Sequence, residues 1–288
     1  MVDPRELVHA ERRGRTLLLT LDHPPVNVLS RAVLEALSAR LEEAESDLEV
    51  RAVVLGSAAE KAFAAGADIR EMAPMGSREA REHGGRGQAV TRQIERLPLP
   101  VIAAVHGVCL GGGCELSLAC DFVLASEDAV FGQPEINLGV MPGWGGTRRL
   151  PRRVGPARAR RWILTGRPVP AAQAHDEGLV DRLVPRSELL SAALELAHEL
   201  STKPPLAVAA AKYALLEAID PGIEEGLAYE LELWSQLFDT PGQKEGMRAF
   251  LDKRPLTETG RADWERLSKS FPWGTRTSEG RPRKGNNP

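Results

Sequence analysis

Residues 100–121 read PVIAAVHGVCLGGGCELSLACD. Val101–Val105 is an unbroken apolar run between Pro100 and His106, the pattern of a buried strand. Gly111, Gly112 and Gly113 then open a helix over 113–120, and 121–125 returns as a strand. Strand, glycine-rich turn, helix and strand in this order form the unit of an α/β layered fold.

Working outward, 16–21 reads as a strand stopped by Asp22-His23-Pro24-Pro25. Ser30 offers an N-cap to a helix over 31–48, where Val33, Leu34, Leu37, Leu41 and Ala44 recur at helical spacing. Residues 51–55 form a second strand, and Ser77 caps a polar helix that Leu97-Pro98-Leu99-Pro100 breaks. After Pro142 the pattern turns helical, with helices expected over 155–165, 171–177, 187–201, 205–219, 223–238 and 244–252. Residues 255–288 carry only six apolar side chains, and seven basic against four acidic ones. They are expected to be a polar extension with a short helix near 261–269 and a partly disordered end.

The 288 residues carry a formal net charge of −3, which argues against a dedicated nucleic-acid binder. No apolar run approaches the ~20 residues of a membrane helix, and the start, MVDPRELVHAERRGR, lacks a hydrophobic signal core. These features predict a cytoplasmic location with no membrane partner. Cys109, Cys114 and Cys120 are odd in number and show no Cys-x-x-Cys spacing. They read as small buried hydrophobes rather than a disulfide framework or a metal site.

Three segments could carry chemistry. The small-residue loop AFAAGADI at 62–69 follows a strand, so its backbone can approach a ligand closely. The helix start after Gly111 presents unpaired N–H groups and a positive dipole end, both suited to negative charge. The third segment runs from Phe131 through Glu135 to Gly146. Glu115 and Glu135 lie in partly apolar surroundings, where burial and mutual repulsion separate the pKa values of an acid and a base. A first-turn Glu also serves as a plain dipole partner, and spacing alone leaves both readings of Glu115 open. The glycine run has neither the G-x-G-x-x-G spacing nor a Gly-Lys-Ser/Thr ending.

Together, AFAAGADI at 62–69, PVIAAVHGVCLGGGCELSLACD at 100–121 and FGQPEINLGVMPGWGGTRRL at 131–150 resemble the enoyl-CoA hydratase/isomerase, or crotonase, family. Weaker matches are LTG at 164–166, AHDEGLV at 174–180 and EGMRAFLDKR at 245–254. The resemblance implies a crotonase-like ββα spiral core to about residue 200 and a helical trimerisation segment over 201–254. It also implies a homotrimer or a dimer of trimers, and an acyl-CoA thioester as substrate. Coenzyme A is then part of the substrate, and no separate cofactor or metal is implied.

Carried over residue by residue, the resemblance assigns the Ala67 and Gly112 N–H groups to an oxyanion hole. Glu115 and Glu135 take the two carboxylate positions, which implies hydration of a 2-trans-enoyl-CoA to a 3-hydroxyacyl-CoA. Isomerase or other family chemistry is the alternative. Ala65, Asp68, Ile69, Arg70, Gly143, Trp144, Phe250 and Lys253 match substrate-binding positions. Pro25 departs from the pattern, since many members place a Lys or Arg there against the CoA phosphates. Trp144 is larger than the usual residue at its place and predicts short or branched acyl chains, unless it packs outward as core. Arg148, Arg149, Arg152, Arg153, Arg158, Arg160 and Arg161 crowd a short acid-free run. The run reads as a solvated or subunit-contact face, with RNA binding beside hydratase activity as the alternative.

Overall fold

The computed structural model describes residues 4–217 and 223–257. A short helix α1 (Pro4–Leu7) leads into the hairpin β1 (Val8–Arg13) and β2 (Thr16–Leu21), and β3 (Val28–Leu29) precedes α2 (Arg31–Ser46). Strands β4 (Ala52–Ser57), β5 (Ala62–Ala64) and β6 (Gly66–Ala67) are followed by α3 (Ile69–Met72) and the long α4 (Ser77–Arg96). Then come β7 (Val101–Val105), β8 (Val108–Leu110), α5 (Gly112–Ala119), β9 (Phe122–Ser126) and β10 (Val130–Gly132). The remainder is α6 (Gly146–Val154), α7 (Pro156–Thr165), β11 (Val169–Pro170), α8 (Ala171–Asp176), β12 (Arg182–Val184), α9 (Leu189–Ser201), α10 (Pro205–Glu217), α11 (Ile223–Leu237) and α12 (Pro241–Leu251).

One sheet runs in the order β1-β2-β4-β7-β9-β12, and a second in the order β11-β10-β8-β5. In the first, only the β1–β2 pair is antiparallel. All five residues of β7 are buried, as are five of the six in β4, which explains their continuous apolar runs. Helix α2 buries Val33, Leu34, Ala36, Leu37, Leu41 and Ala44, the stripe expected from their spacing, and Ser30 caps it by accepting the Val33 N–H. A buried Val or Leu of this kind stabilises by ~1.5–3 kcal/mol relative to exposure. Cys109, Cys114 and Cys120 are free and buried, and burial pushes the Cys114 thiol up to about 12.

The chain divides into two compact units, residues 1–199 and 200–288. The second has its own apolar cluster of Leu206, Ala209, Ala210, Tyr213 and Leu233. Within it, Thr240 caps α12 by accepting the Gln243 N–H, and Arg254 grips Glu245 through two hydrogen bonds of 2.7 and 3.1 Å. The helix expected near 261–269 and the expected disorder of the tail lie outside the described residues.

The short strands, and with them β1 and α6, escape the periodicity reading. Strand β1 has a single buried residue because it is the edge of its sheet. Helix α6 contains Pro151 and begins on glycine, and of its apolar side chains Leu150 and Val154 are the buried ones. Neither offers the alternation that marks an element in one dimension.

Candidate active site

The site begins where β8 ends. Gly111 has φ of +52°, which turns the chain from strand into α5. Gly66, with φ of +105°, passes so close that a Cβ there would lie 3.2 Å from the Leu110 carbonyl oxygen and 3.8 Å from the Gly112 nitrogen. The loop is held from behind by Asn27, which is fully buried. Its side-chain N–H donates to Ser57 Oγ at 2.8 Å and to the Phe63 carbonyl at 3.0 Å. The pairing of β3 with β6 sets Ala67 opposite Leu29. Ala67 and Gly112 thereby line one cavity of about 320 Å³.

Both glutamates face the same cavity. Glu115, in the first turn of α5, is 2% exposed. Its Oε1 accepts the Trp144 N–H at 2.8 Å and the Gly146 N–H at 2.7 Å. Burial raises its pKa, and these N–H donors together with the Arg149 charge oppose the rise. Glu135 lies in the short 3₁₀ helix Pro134–Leu138 and is half-buried. Burial, with the Glu115 charge adding, pushes it up to about 7. Its Oε1 sits 3.1 Å from where a Cβ would stand on Gly111, so that position accepts only glycine without a shift. The side-chain amide of Gln133 is fully buried, and oriented to satisfy its hydrogen bonds it donates to the Glu135 carboxylate at 3.0 and 3.2 Å.

The model of the family described as enoyl-CoA hydratase/isomerase matches residues 11–261. The chain belongs to the enoyl-CoA hydratase/isomerase family. It is 42% identical to the short-chain-enoyl-CoA hydratase of Clostridium acetobutylicum over 85% of this chain and 95% of that protein. It is 40% identical to the crotonyl-CoA hydratase of Syntrophomonas wolfei, over 86% of this chain and 96% of that one. The crystal structure of an enoyl-CoA hydratase from Bacillus anthracis superposes with a TM-score of 0.83 at 38% identity, covering 87% of this chain and 98% of that chain. These relatives place the chain among the hydratases, the hydro-lyases of the family. The crotonase-like core with C-terminal helices is the fold they share.

Against that family pattern, the remaining expected residues fall in three places. Ala65, Ile69, Gly143 and Trp144 line the cavity. Asp68 instead caps α3 by accepting the Arg70 N–H at 2.8 Å, and Arg70 is exposed beside it. Phe250 and Lys253 belong to the second unit. Phe250 is 83% exposed on α12, and Lys253 follows it with φ of +52°.

Trp144 answers to both readings of its size, since it is buried and also forms cavity wall. Its indole is sandwiched between two glycines. A Cβ on Gly87 would approach it to 2.2 Å and one on Gly112 to 2.4 Å.

Among the crowded arginines, Arg149, Arg153 and Arg161 tie distant segments of the fold together. Arg149 pairs with Glu95 through two hydrogen bonds, and its Nη1 donates to the Trp144 carbonyl at 2.7 Å. Arg153 reaches Asp181 and the Asp121 carbonyl, and Arg161 pairs with Glu177. Sequence reasoning missed Gln133, His83 and Arg149 as parts of the site. Gln133 sits unmarked in a loop beside Glu135, His83 is one polar residue among many on a polar helix, and Arg149 was hidden among six like neighbours.

Proposed function

We propose that this family member hydrates short 2-trans-enoyl-CoA thioesters to 3-hydroxyacyl-CoAs, as in fatty-acid degradation. The observation that carries the reading is the convergence of Glu115 and Glu135, in unlike environments, on the cavity that Ala67 and Gly112 line. The Ala67 and Gly112 N–H groups hold the thioester oxygen as negative charge develops on it. Losing one such donor typically costs ~3–4 kcal/mol of barrier. Glu115, steadied at Oε1 by two backbone N–H groups, acts as the base that takes a proton from water as the water oxygen bonds to C3. Glu135, with a pKa of about 7, delivers its proton to C2. Solvent exchange then returns both carboxyls to their starting states.

Ala65, Asp68, Ile69, Arg70 and Gly143 are assigned to substrate and its CoA portion, which needs no further cofactor, and for Phe250 and Lys253 the substrate-binding role rests on the family resemblance alone. Arg70 supplies phosphate-directed charge where Pro25 does not. The reading includes a cytoplasmic homotrimer or dimer of trimers. Supporting self-association, the second unit exposes Leu215, Leu227, Leu231, Trp234 and Leu251.

The deciding experiment is loss of enoyl absorbance with crotonyl-CoA, for the parent chain and for Glu115→Gln and Glu135→Gln. Each variant is expected to lose ~10²–10⁴-fold in kcat. Near-full activity in either would refute the two-carboxylate reading. Isomerisation of a 3-enoyl-CoA by Glu115→Gln without hydration would favour the isomerase alternative.

A further inference from the structure

His83 lies on α4, one turn ahead of Gly87, and is 3% exposed. Its ring packs on the Trp144 indole with centroids 5.8 Å apart, and it lines the same cavity as Glu115 and Glu135. Neither Nδ1 nor Nε2 has a hydrogen-bond partner among the described residues. An imidazole always carries at least one N–H, and a buried donor left unmet costs ~1–3 kcal/mol. Buried polar groups in folded proteins are nearly all satisfied, so an exception in a cavity wall marks a place where a ligand completes the bond.

The rest of the wall supplies no such partner. Met72, Met75, Leu138, Val140 and Met141 give it an apolar face. The location within the cavity is specific. The indole contacts Gly112 at one edge and Gly87 at another, and His83 lies on the α4 side of it. With the indole against both Gly112 and the His83 ring, the hydratase reading puts the ring beside the acyl chain rather than at the thioester oxygen. Gly84, next to His83, also lines the cavity, and a Cβ there would meet nothing within 4 Å, which leaves room for a substituent. Burial, with the Arg86 charge adding, lowers the His83 pKa against the pull of Glu71 and Asp68, so the ring is neutral at pH 7 and can both donate and accept.

We propose that His83 recognises an oxygen function (hydroxyl, carbonyl or carboxylate) near the far end of a short enoyl chain, so that oxygenated enoyl-CoAs are preferred over plain ones. The inference rests on the hydratase reading and names the substrate class of that site. A pocket that hydrogen-bonds a substrate oxygen discriminates strongly against the analogue lacking it, because the protein group is then left unpaired.

The test compares three six-carbon 2-trans-enoyl-CoAs on the full chain: unsubstituted, carrying a terminal hydroxyl, and carrying a terminal carboxylate. The parent is expected to favour at least one oxygenated substrate over the plain one by about tenfold or more in kcat/KM. His83→Leu should bring that ratio to about one, and His83→Gln, which keeps a donor and an acceptor, should restore part of it. Preference for the hydroxyl arm indicates a hydrogen bond between neutral groups, and preference for the carboxylate arm a ring N–H donated to an anion; either supports the proposal. A parent ratio of one or less overturns it, whether or not His83→Leu folds, and so does an undiminished ratio in a folded His83→Leu. Failure to hydrate all three and crotonyl-CoA as well would instead bring down the hydratase reading, and the substrate class with it.

Discussion

The Trp144 N–H donates to Glu115 Oε1 at 2.8 Å, so the residue that walls the cavity also holds its most buried carboxylate. On its other side the Trp144 carbonyl accepts from Arg149 Nη1 at 2.7 Å and from Thr91 Oγ1 at 3.0 Å. One peptide segment therefore links the Glu95–Arg149 pair to Glu115. Shape and electrostatics of the cavity are set together.

Arg149 is accordingly a positioning residue. Arg149→Met leaves Glu95 without its two hydrogen bonds and frees the Trp144 segment. A hydrogen bond to a charged group is worth ~1.5–3 kcal/mol, so a loss of about tenfold or more in kcat is expected with crotonyl-CoA. KM should change much less, and Arg149→Lys should recover part of the rate. A parallel loss in kcat and thermal stability with no rescue by Lys would indicate a purely structural role.

The raised pKa of Glu135 sets a pH dependence. Its protonated form is the one that donates to C2, so kcat/KM should fall on the alkaline side with an inflection near 7. The residual activity of Glu135→Gln should lack that inflection. A profile flat from pH 6 to 9 in the parent would contradict the assigned role.

Stability carries the same shift with a definite sign. Glu135 binds its proton more tightly folded than unfolded, so its contribution is fully present below the ordinary glutamate value of 4.5 and is lost as pH rises to about 7. Glu135→Gln removes this penalty. The variant should resist urea better than the parent at pH 8, by on the order of 1–3 kcal/mol, and should match it near pH 4.

Two glycines of α4 should respond oppositely to alanine. At Gly87 the added Cβ would meet the indole at 2.2 Å, whereas at Gly85 it would meet nothing within 4 Å. Gly85→Ala should raise stability by ~0.5–1 kcal/mol through helix propensity. Gly87→Ala should lower it by ~1–3 kcal/mol despite the same propensity gain. Adding Trp144→Ala to Gly87→Ala should cancel much of the packing conflict, measured as a double-mutant cycle in denaturant.

Trp144 also limits the acyl chain. With the parent, catalytic efficiency should decline from four carbons towards sixteen, and Trp144→Ala should shift the optimum to longer chains by opening the cavity wall. Rising efficiency along the series in the parent would show that the indole imposes no such limit.

Several of these relationships were readable in one dimension. The α2 stripe, the apolar runs of β4 and β7 and the helix start after Gly111 follow from periodicity and glycine placement, because burial repeats along each element. The same glycine-rich stretch, with its flanking loops, pointed to Glu115 and Glu135 as cavity carboxylates. Other features had no local signal. The edge strand β1 and the glycine- and proline-bearing α6 bury too few side chains to show a period. The seven arginines looked alike in sequence, and Arg149 became distinct only through Glu95, which comes from a different helix. His83 likewise reads as one polar residue on a polar helix until Trp144 packs on it and the ring is left unpartnered. Local pattern, then, determined the secondary elements and the residue types available for chemistry. Which of those residues share a cavity, and which carboxylate is held by backbone N–H groups while the other is pushed up towards 7, was decided by contacts between segments far apart in the chain. Burial and hydrogen bonding at such contacts depend on distance in space, and sequence spacing does not encode that distance.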